Sequence, residues 1–336
     1  MKTAVIILNW NGRKFLEEFL PSVCRDSISD DSEVVVADNG STDDSLDFLA
    51  NSYPQVRLLK FDKNYGFAEG YNKALALVDT EYVLLLNSDV ETTPGYLQPM
   101  VDFLDANPEY AGCQPKIRAF HNRASFEFAG AAGGFIDKWA YPFCRGRIFG
   151  DVEPDNGQYD TVTDVFWATG AALMVRRKVY IDNGGLDSSF FAHQEEIDLC
   201  WRLRARGFRL ACVPQSVVYH VGGGTLAVEN PRKTLLNFRN NLLMVYKNEP
   251  HLLKVMTVRF FLDYLAAFVF LVKCDLANFS AVLKARRQFW QMRPSLCEAR
   301  RQNMRLAKTS DIPEVFPHSL VWQSYVHGLK KFNDWR

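Results

Sequence analysis

Three wholly apolar runs, VIIL, VVVA and YVLLL, constrain this chain more than any other feature of its sequence. They fall inside Thr3–Leu8, Glu33–Ala37 and Tyr82–Leu86, and Val56–Phe61 reads as a fourth strand between the last two. Unbroken apolarity, rather than alternation, is what a strand needs when helices cover both faces of its sheet. Arg13–Cys24, Ser45–Ser52 and Phe67–Val78 carry the helical spacing that supplies those covers. The order β-α-β-α-β-α-β predicts an α/β fold with a doubly wound, mostly parallel sheet and helices on both faces.

Ligands of such sheets gather at the carboxyl ends of the strands. Those ends are polar throughout. Asn9-Trp10-Asn11-Gly12 follows the first strand, Asp38-Asn39-Gly40-Ser41 the second, Lys63-Asn64-Tyr65-Gly66 the third and Asn87-Ser88-Asp89 the fourth. Four loops can therefore converge on one cleft. From Ala111 to Asn156 the pattern turns irregular and rich in Gly and aromatics, an expected loop insertion shaping an acceptor site. Order returns with Val165–Arg176, a helix headed by Glu195 and Glu196, and an expected strand pair, Arg209–Val213 and Ser216–His220. After Asn230 the composition turns helical. The expected division is residues 1–230 as a binding and catalytic domain and 231–336 as a helical C-terminal extension.

With 39 basic and 39 acidic side chains, bulk charge gives no reason to expect nucleic acid as a partner. Seven cysteines without a CxxC pair argue against a zinc site or a disulfide framework and for reduced thiols in the cytoplasm. The chain opens on a strand-like run, with no signal-peptide pattern. Its most apolar stretch, Val255–Val272, is interrupted by Arg259 and Asp263, so an interfacial or buried helix is expected rather than a span. Arg259, Lys273, Arg286 and Arg287, with Phe260, Phe261, Phe268 and Trp290, are expected to seat the extension on a membrane surface.

The chemistry concentrates at a few positions. Asp38 can accept from a base N–H, and Gly40 permits the turn into the next helix. Asp89 at a strand end can ligate Mg²⁺ or Mn²⁺ through oxygen. His220, before a Gly222-Gly223-Gly224-Thr225 loop, can be a further metal ligand or can bond a phosphate oxygen. Glu196 is the candidate general base and Glu195 its alternative. Asp198, four residues before Arg202, is expected to make an ion pair along the helix.

Taken in order, VIILNWNG (Val5–Gly12), VVVADNGSTDDS (Val34–Ser45), NYGFAEGYN (Asn64–Asn72), LLLNSDV (Leu84–Val90), ATGAALMVRR (Ala168–Arg177), FFAHQEEIDLCWRLRARG (Phe190–Gly207) and YHVGGGT (Tyr219–Thr225) resemble the family 2 inverting glycosyltransferases of GT-A fold. The bacterial rhamnosyltransferase-like branch is the nearest likeness. The resemblance implies a nucleotide-diphosphate sugar donor, a glycan or lipid-linked glycan acceptor and a divalent cation. It assigns Asn9, Asn11, Asp38, Asn39, Asn64, Gly66, Phe67, Gly70, Asn72, Asn87 and Ser88 to the nucleotide, with Asp38 at the base. Asp89 matches the last acid of the family's DXD motif and His220 its downstream histidine. Trp167 and Gly170 fall to the acceptor, and Glu196 takes the second place of the family's Glu-Asp pair. Two positions depart from the pattern: Asn87 stands for the first acid of DXD, and Glu196 is Glu where the family has Asp.

Two rival readings remain in view. A sugar nucleotidyltransferase would want a Gly-rich basic first loop, which Asn9-Trp10-Asn11-Gly12-Arg13 matches poorly. A non-catalytic module of the same fold would have no reason to keep Asp89, Glu196 and His220 together.

Overall fold

The computed structural model describes residues 1–222 and 230–335. Its first half runs β1 (Thr3–Asn9), α1 (Arg13–Ser27), β2 (Ser32–Asp38), α2 (Ser45–Ser52), β3 (Arg57–Lys60), α3 (Gly66–Ala76) and β4 (Tyr82–Leu86). β4, β1, β2 and β3 lie side by side and all parallel, with Ile6 opposite both Val35 and Leu85. Alternate residues of each strand feed two different cores. Ile6, Val35 and Leu85 belong to one, while Val5, Val34, Val36 and Leu84 belong to the other. That double burial is why the runs contain no polar residue.

β5 (Val90–Thr92), α4 (Leu97–Ala106) and β6 (Tyr110–Ala119) follow. Next come β7 (Gly134–Asp137), β8 (Pro142–Cys144), β9 (Arg147–Ile148), β10 (Asp151–Val152), β11 (Thr163–Asp164) and β12 (Ala172–Arg176). α5 (Arg177–Asp182), α6 (Glu195–Ala205) and β13 (Arg209–His220) complete the second half. The main sheet has nine strands in the order β11-β13-β6-β12-β4-β1-β2-β3, with β5 on β13. Beyond β4 it is mixed, because β12 is antiparallel to both β4 and β6 while β13 is parallel to β6.

Two expectations need correcting here. Residues 111–156 are not a loop insertion. They hold the central strand β6 and four strands of a second, five-stranded sheet in the order β10-β9-β8-β7-β14. β6 hides from a hydrophobicity reading because it buries polar groups that find partners inside. Gln114 Oε1 accepts from the Thr169 amide (2.9 Å), and Lys116 pairs with Asp155 (3.1 Å). The expected strand pair 209–213 and 216–220 is the single strand β13. Its register slips between Val213 and Val217, where Pro214 has no amide to give.

After 230 the chain is helical: α7 (Pro231–Asn248), α8 (Leu252–Val272), α9 (Leu276–Met292) and α10 (Cys297–Leu306). Asn230 caps α7 by accepting from the Arg232 amide (2.9 Å), with Pro231 at the first position. Leu242–Val245 of α7 enter the same core as β1 and α6. The tail then returns as β14 (Val315–Phe316) and α11 (Leu320–Tyr325). β14 pairs with β7, and the Leu320 amide donates to Asp137 (2.7 Å). All seven cysteines are free thiols.

α8 is the one helix among the described residues long and apolar enough to cross a membrane. The charges that interrupt it point inward, not toward lipid. Arg259 and Asp263 are 1% and 0% exposed and pair at 3.2 Å. Arg286 of α9 reaches the same Asp263 at 2.7 Å. The expectation that Arg259 and Arg286 face a membrane is therefore corrected: a buried carboxylate needs both of them.

Candidate active site

The loops after β1, β2 and β3 are knitted into one wall. Asn9 Nδ2 donates to Asp38 Oδ1 (3.0 Å) and to Ser41 Oγ (3.1 Å), and Asp38 Oδ2 accepts from the Ser41 amide (3.0 Å). Asn11 Oδ1 accepts from the Thr42 amide (2.7 Å). Asn39 bridges onward: its Nδ2 donates to Asn64 Oδ1 (3.1 Å) and Gly66 O (3.0 Å), and its Oδ1 accepts from the Tyr65 amide (3.0 Å). Asn9, Asp38 and Asn39 are buried, while Asn11 and Asn64 are exposed on the rim. Gly66 takes φ +78 at the start of α3, a conformation that favours glycine. Gly70 serves close packing, since a Cβ there would stand 2.8 Å from Leu8.

The end of β4 meets the end of β13. Asp89 Oδ1 lies 3.1 Å from His220 Nε2, and Asn87 Nδ2 lies 3.5 Å from the same nitrogen. The other ring nitrogen is 3.4 Å from Glu127, a carboxylate only 4% exposed. Burial disfavours a charged imidazole here, but the bonds to Asp89 and Glu127 outweigh it and raise His220 to about 10. Ser88 looks toward Gly12 of the first loop, where a Cβ would stand 4.0 Å from its Oγ. The residues after Gly222 in the expected glycine loop lie outside the described residues.

Glu195 and Glu196 open α6, where the N-terminal dipole favours negative charge. Their surroundings differ. Glu195 is buried with Oε2 unpartnered, and burial followed by the neighbouring Glu196 pushes its pKa well up. Glu196 is partly exposed; burial raises it too, against amide groups of Glu196, Ile197, Gly170 and Gln194 that favour the carboxylate. Two adjacent carboxyls in such a place do not ionise together. Burial weighs more heavily on Glu195, which has fewer of the backbone contacts that favour the Glu196 carboxylate. A Cβ on Gly170 would stand 3.5 Å from Phe67 and 3.7 Å from Glu196 Cβ, so α3, Gly170 and the α6 carboxylate meet at one point. The adjacent Ala171 carbonyl accepts from the Asn87 amide (3.0 Å), which joins that point to the Asp89 turn. Asp198 pairs with Arg202 (3.0 Å) as its spacing predicts, and with Lys247 of α7 (2.7 Å).

Two sequence-assigned residues face elsewhere. Asn72 spends its amide on the loop before α6, accepting from Tyr180 Oη (2.6 Å) and donating to Leu186 O (2.8 Å). Trp167 is 4% exposed over Gly134, and its indole N–H donates to Phe135 O (2.9 Å). Both side chains are structural ties rather than ligand contacts.

Two others escaped the sequence reading. Glu127 is one. The second is Asn240, buried in α7, whose Nδ2 reaches Phe190 O (3.0 Å), Ala192 O (2.7 Å) and His193 O (2.8 Å). Those carbonyls belong to the turn that delivers Glu195, in which Phe191, His193 and Gln194 all have positive φ (66, 70 and 71). Each such residue costs roughly 1–3 kcal/mol, so the turn needs outside support. Asn241 adds to it by donating to Gln194 Oε1 (3.1 Å). The available signal was an Asn-Asn pair directly before the apolar run Leu242–Val245, because buried amides are there to be bonded.

A family model described as "Glycosyl transferase family 2" matches residues 4–149, and one described as "Glycosyl transferase family group 2" matches residues 82–284, more than half of the chain. The chain belongs to glycosyltransferase family 2. It is a glycosyltransferase of the rhamnosyltransferase-like branch. Among its relatives, the N-acetylglucosaminyl-diphospho-decaprenol L-rhamnosyltransferase of Mycobacterium tuberculosis is 26% identical over 64% of this chain and 75% of that protein. Rhamnosyltransferase WbbL of Escherichia coli is 26% identical over 46% of this chain and 61% of that protein. Among solved structures, S. aureus TarS 1-349 in complex with UDP-GlcNAc matches with a TM-score of 0.57 at 18% identity, over 98% of this chain and 92% of that one. GalNAc-T7 with UDP, GalNAc and Mn2+ matches at 0.56 and 15%, over 74% of this chain; the chain spans about half (48%) of that protein. At these identities the structural likeness is one of GT-A fold.

Proposed function

We propose that this glycosyltransferase moves a sugar from a nucleotide-diphosphate donor to a hydroxyl of a glycan or lipid-linked glycan acceptor, with inversion at the anomeric carbon. The observation that carries the reading is the meeting of Phe67, Gly170 and Glu196 beside the Asn87–Asp89 turn. Donor wall and proton acceptor then border one space. The relatives' names support the donor and acceptor classes, because two of them are rhamnosyltransferases and one name specifies a diphospho-decaprenol. In this reading residues 1–230 bind donor and carry out chemistry, residues 231–336 support them, and the free thiols suit the cytoplasm.

The residues fit a divalent cation. Asp89 offers a hard carboxylate oxygen and His220, once an ion displaces its Nε2 proton, would offer an imidazole nitrogen beside it, and Glu127 on the far ring nitrogen is the kind of partner that orients a metal-binding histidine. Diphosphate oxygens of the donor would complete the shell of such an ion. A mixed oxygen and nitrogen set suits Mn²⁺ at least as well as Mg²⁺. Bound there, the ion supplies charge stabilisation to the departing diphosphate.

The chain's own groups do the rest. Asn11, Asn64 and the Gly66–Phe67 corner hold the nucleotide, and Asp38 and Asn39 fix the loops that present them. Glu196 removes the acceptor hydroxyl proton as that oxygen attacks the face opposite the diphosphate. Burial, not Glu195, raises the basicity of Glu196. One carboxylate base suffices because a diphosphate departs without a general acid, whereas a glycosidase needs a second carboxyl group to protonate its leaving oxygen.

The test is a thermal-shift panel of UDP, dTDP and GDP with and without Mn²⁺, followed by donor turnover in Glu196→Gln. A nucleotide diphosphate is expected to raise the melting temperature, more with Mn²⁺. The variant is expected to bind donor but not turn it over. Silence from every nucleotide contradicts the reading.

A further inference from the structure

The outer face of α8 has no partner within the chain. Arg259, Asp263 and Ala267 point inward and are essentially buried. Phe261, Leu265, Phe268 and Val272, spaced as one helical stripe, point outward and are 67%, 53%, 58% and 66% exposed. Exposed Leu276 extends the stripe past the turn into α9. A contiguous apolar band of this kind marks a docking surface.

Charge identifies what docks. α8 and α9 contain a single acid, Asp263, and it is sealed between Arg259 and Arg286. The exposed charges of the hairpin are Lys254, Lys273, Lys284 and Arg287, against one half-buried acid in its turn, Asp275, which caps α9. Apolar side chains bordered by an excess of cations complement an anionic lipid surface. They do not complement a second copy of this face, which would set like charges against each other. Spanning is excluded by the inward side of α8. That side is committed to α7 through Arg259, within hydrogen-bond reach of Asn241, and to α9 through Asp263, 2.7 Å from Arg286.

We infer that α8 lies flat in an anionic bilayer surface, with Phe261, Leu265, Phe268 and Val272 among the acyl chains and Lys273 and Arg287 at the headgroups. The contact works on binding alone and is independent of donor and acceptor identity.

Sedimentation of the full chain with phosphatidylcholine–phosphatidylglycerol vesicles tests it. Wild type is expected to pellet with these vesicles, far less with pure phosphatidylcholine, and less again in high salt. Phe261→Glu combined with Phe268→Glu is expected to lower the partition at least about tenfold, since two large side chains leave the apolar phase. Should that variant misfold, Phe268→Trp keeps the face apolar, and its fluorescence should be quenched by brominated phosphatidylglycerol beyond the wild-type level. Wild type that stays in the supernatant with both vesicle types overturns the inference. So does an unquenched Trp at 268, or a dimer in light scattering that the paired Glu substitutions dissociate.

Discussion

The two sides of the cleft are built in opposite ways. On the donor side, loops follow strands directly and hold one another through short-range amide chemistry: Asn9 on Asp38, Asn11 on Thr42, Asn39 on Asn64. On the base side, Glu195 and Glu196 follow a turn with three positive-φ residues, and a distant helix holds that turn through Asn240. A self-braced wall tolerates loss of single contacts. An externally braced turn does not, and the proposed base sits on the second kind.

The sharpest way to test this difference is to remove function from each side separately. Glu196→Gln is expected to lower kcat by about 10²–10⁴, the range for a positioned base, with donor affinity unchanged in a nucleotide titration. A matching loss of donor affinity would mean that the two sides are not separate.

The next effect belongs to the diphosphate end. Glu127→Gln keeps the bond to His220 but removes a charge, and should weaken Mn²⁺-dependent nucleotide binding by about 10–100-fold. Mn²⁺ titration of the thermal shift reads it, and an unchanged midpoint would deny Glu127 its part.

Asn240→Ala attacks the external brace. Three carbonyls lose a donor, at a cost of roughly 1–3 kcal/mol. Because Asn240 is a positioning residue, kcat should fall while KM for donor holds; Asn11→Ala should do the reverse. Donor KM rising in the Asn240 variant would place the brace on the wrong side.

The smallest effect concerns Glu195. Its folded-state pKa is raised, so the proton it holds stabilises the fold in acid, and that contribution is lost as pH rises through the raised value. Glu195→Gln should therefore raise the melting temperature relative to wild type, increasingly so from acid to alkaline buffer, with much activity retained. A constant difference across pH would show that Glu195 is not held neutral.

Sequence made one side far more legible than the other. The strands and their polar ends could be placed because each loop's partners sit within the next strand-helix unit, as with Asp38 and Ser41. Asp89 and His220 are 131 positions apart, yet Asp89 directly precedes β5, whose Val90 pairs with His220 at the end of β13. Glu127 had no such marker. It lies outside any regular element and gains its meaning from His220, 93 positions later. Asn72 and Trp167 were misplaced because a residue's type does not reveal which way its backbone turns it. Asn72 satisfies a loop more than 100 residues downstream, and Trp167 roofs a glycine more than 30 residues upstream. The same blindness left the buried face of α8 unread: Arg259 and Asp263, which break the apolar stretch and point to an interfacial or buried helix, face the interior and leave the apolar side outward.

A crystal structure with Mn²⁺ and the best-binding nucleotide diphosphate tests the shared cleft most directly. The expected result is the metal on Asp89 and His220, the nucleotide along Asn11, Asn64 and Phe67, and a sugar-sized gap between the diphosphate and Glu196. A diphosphate bound elsewhere, or Glu196 turned away from that gap, would contradict it.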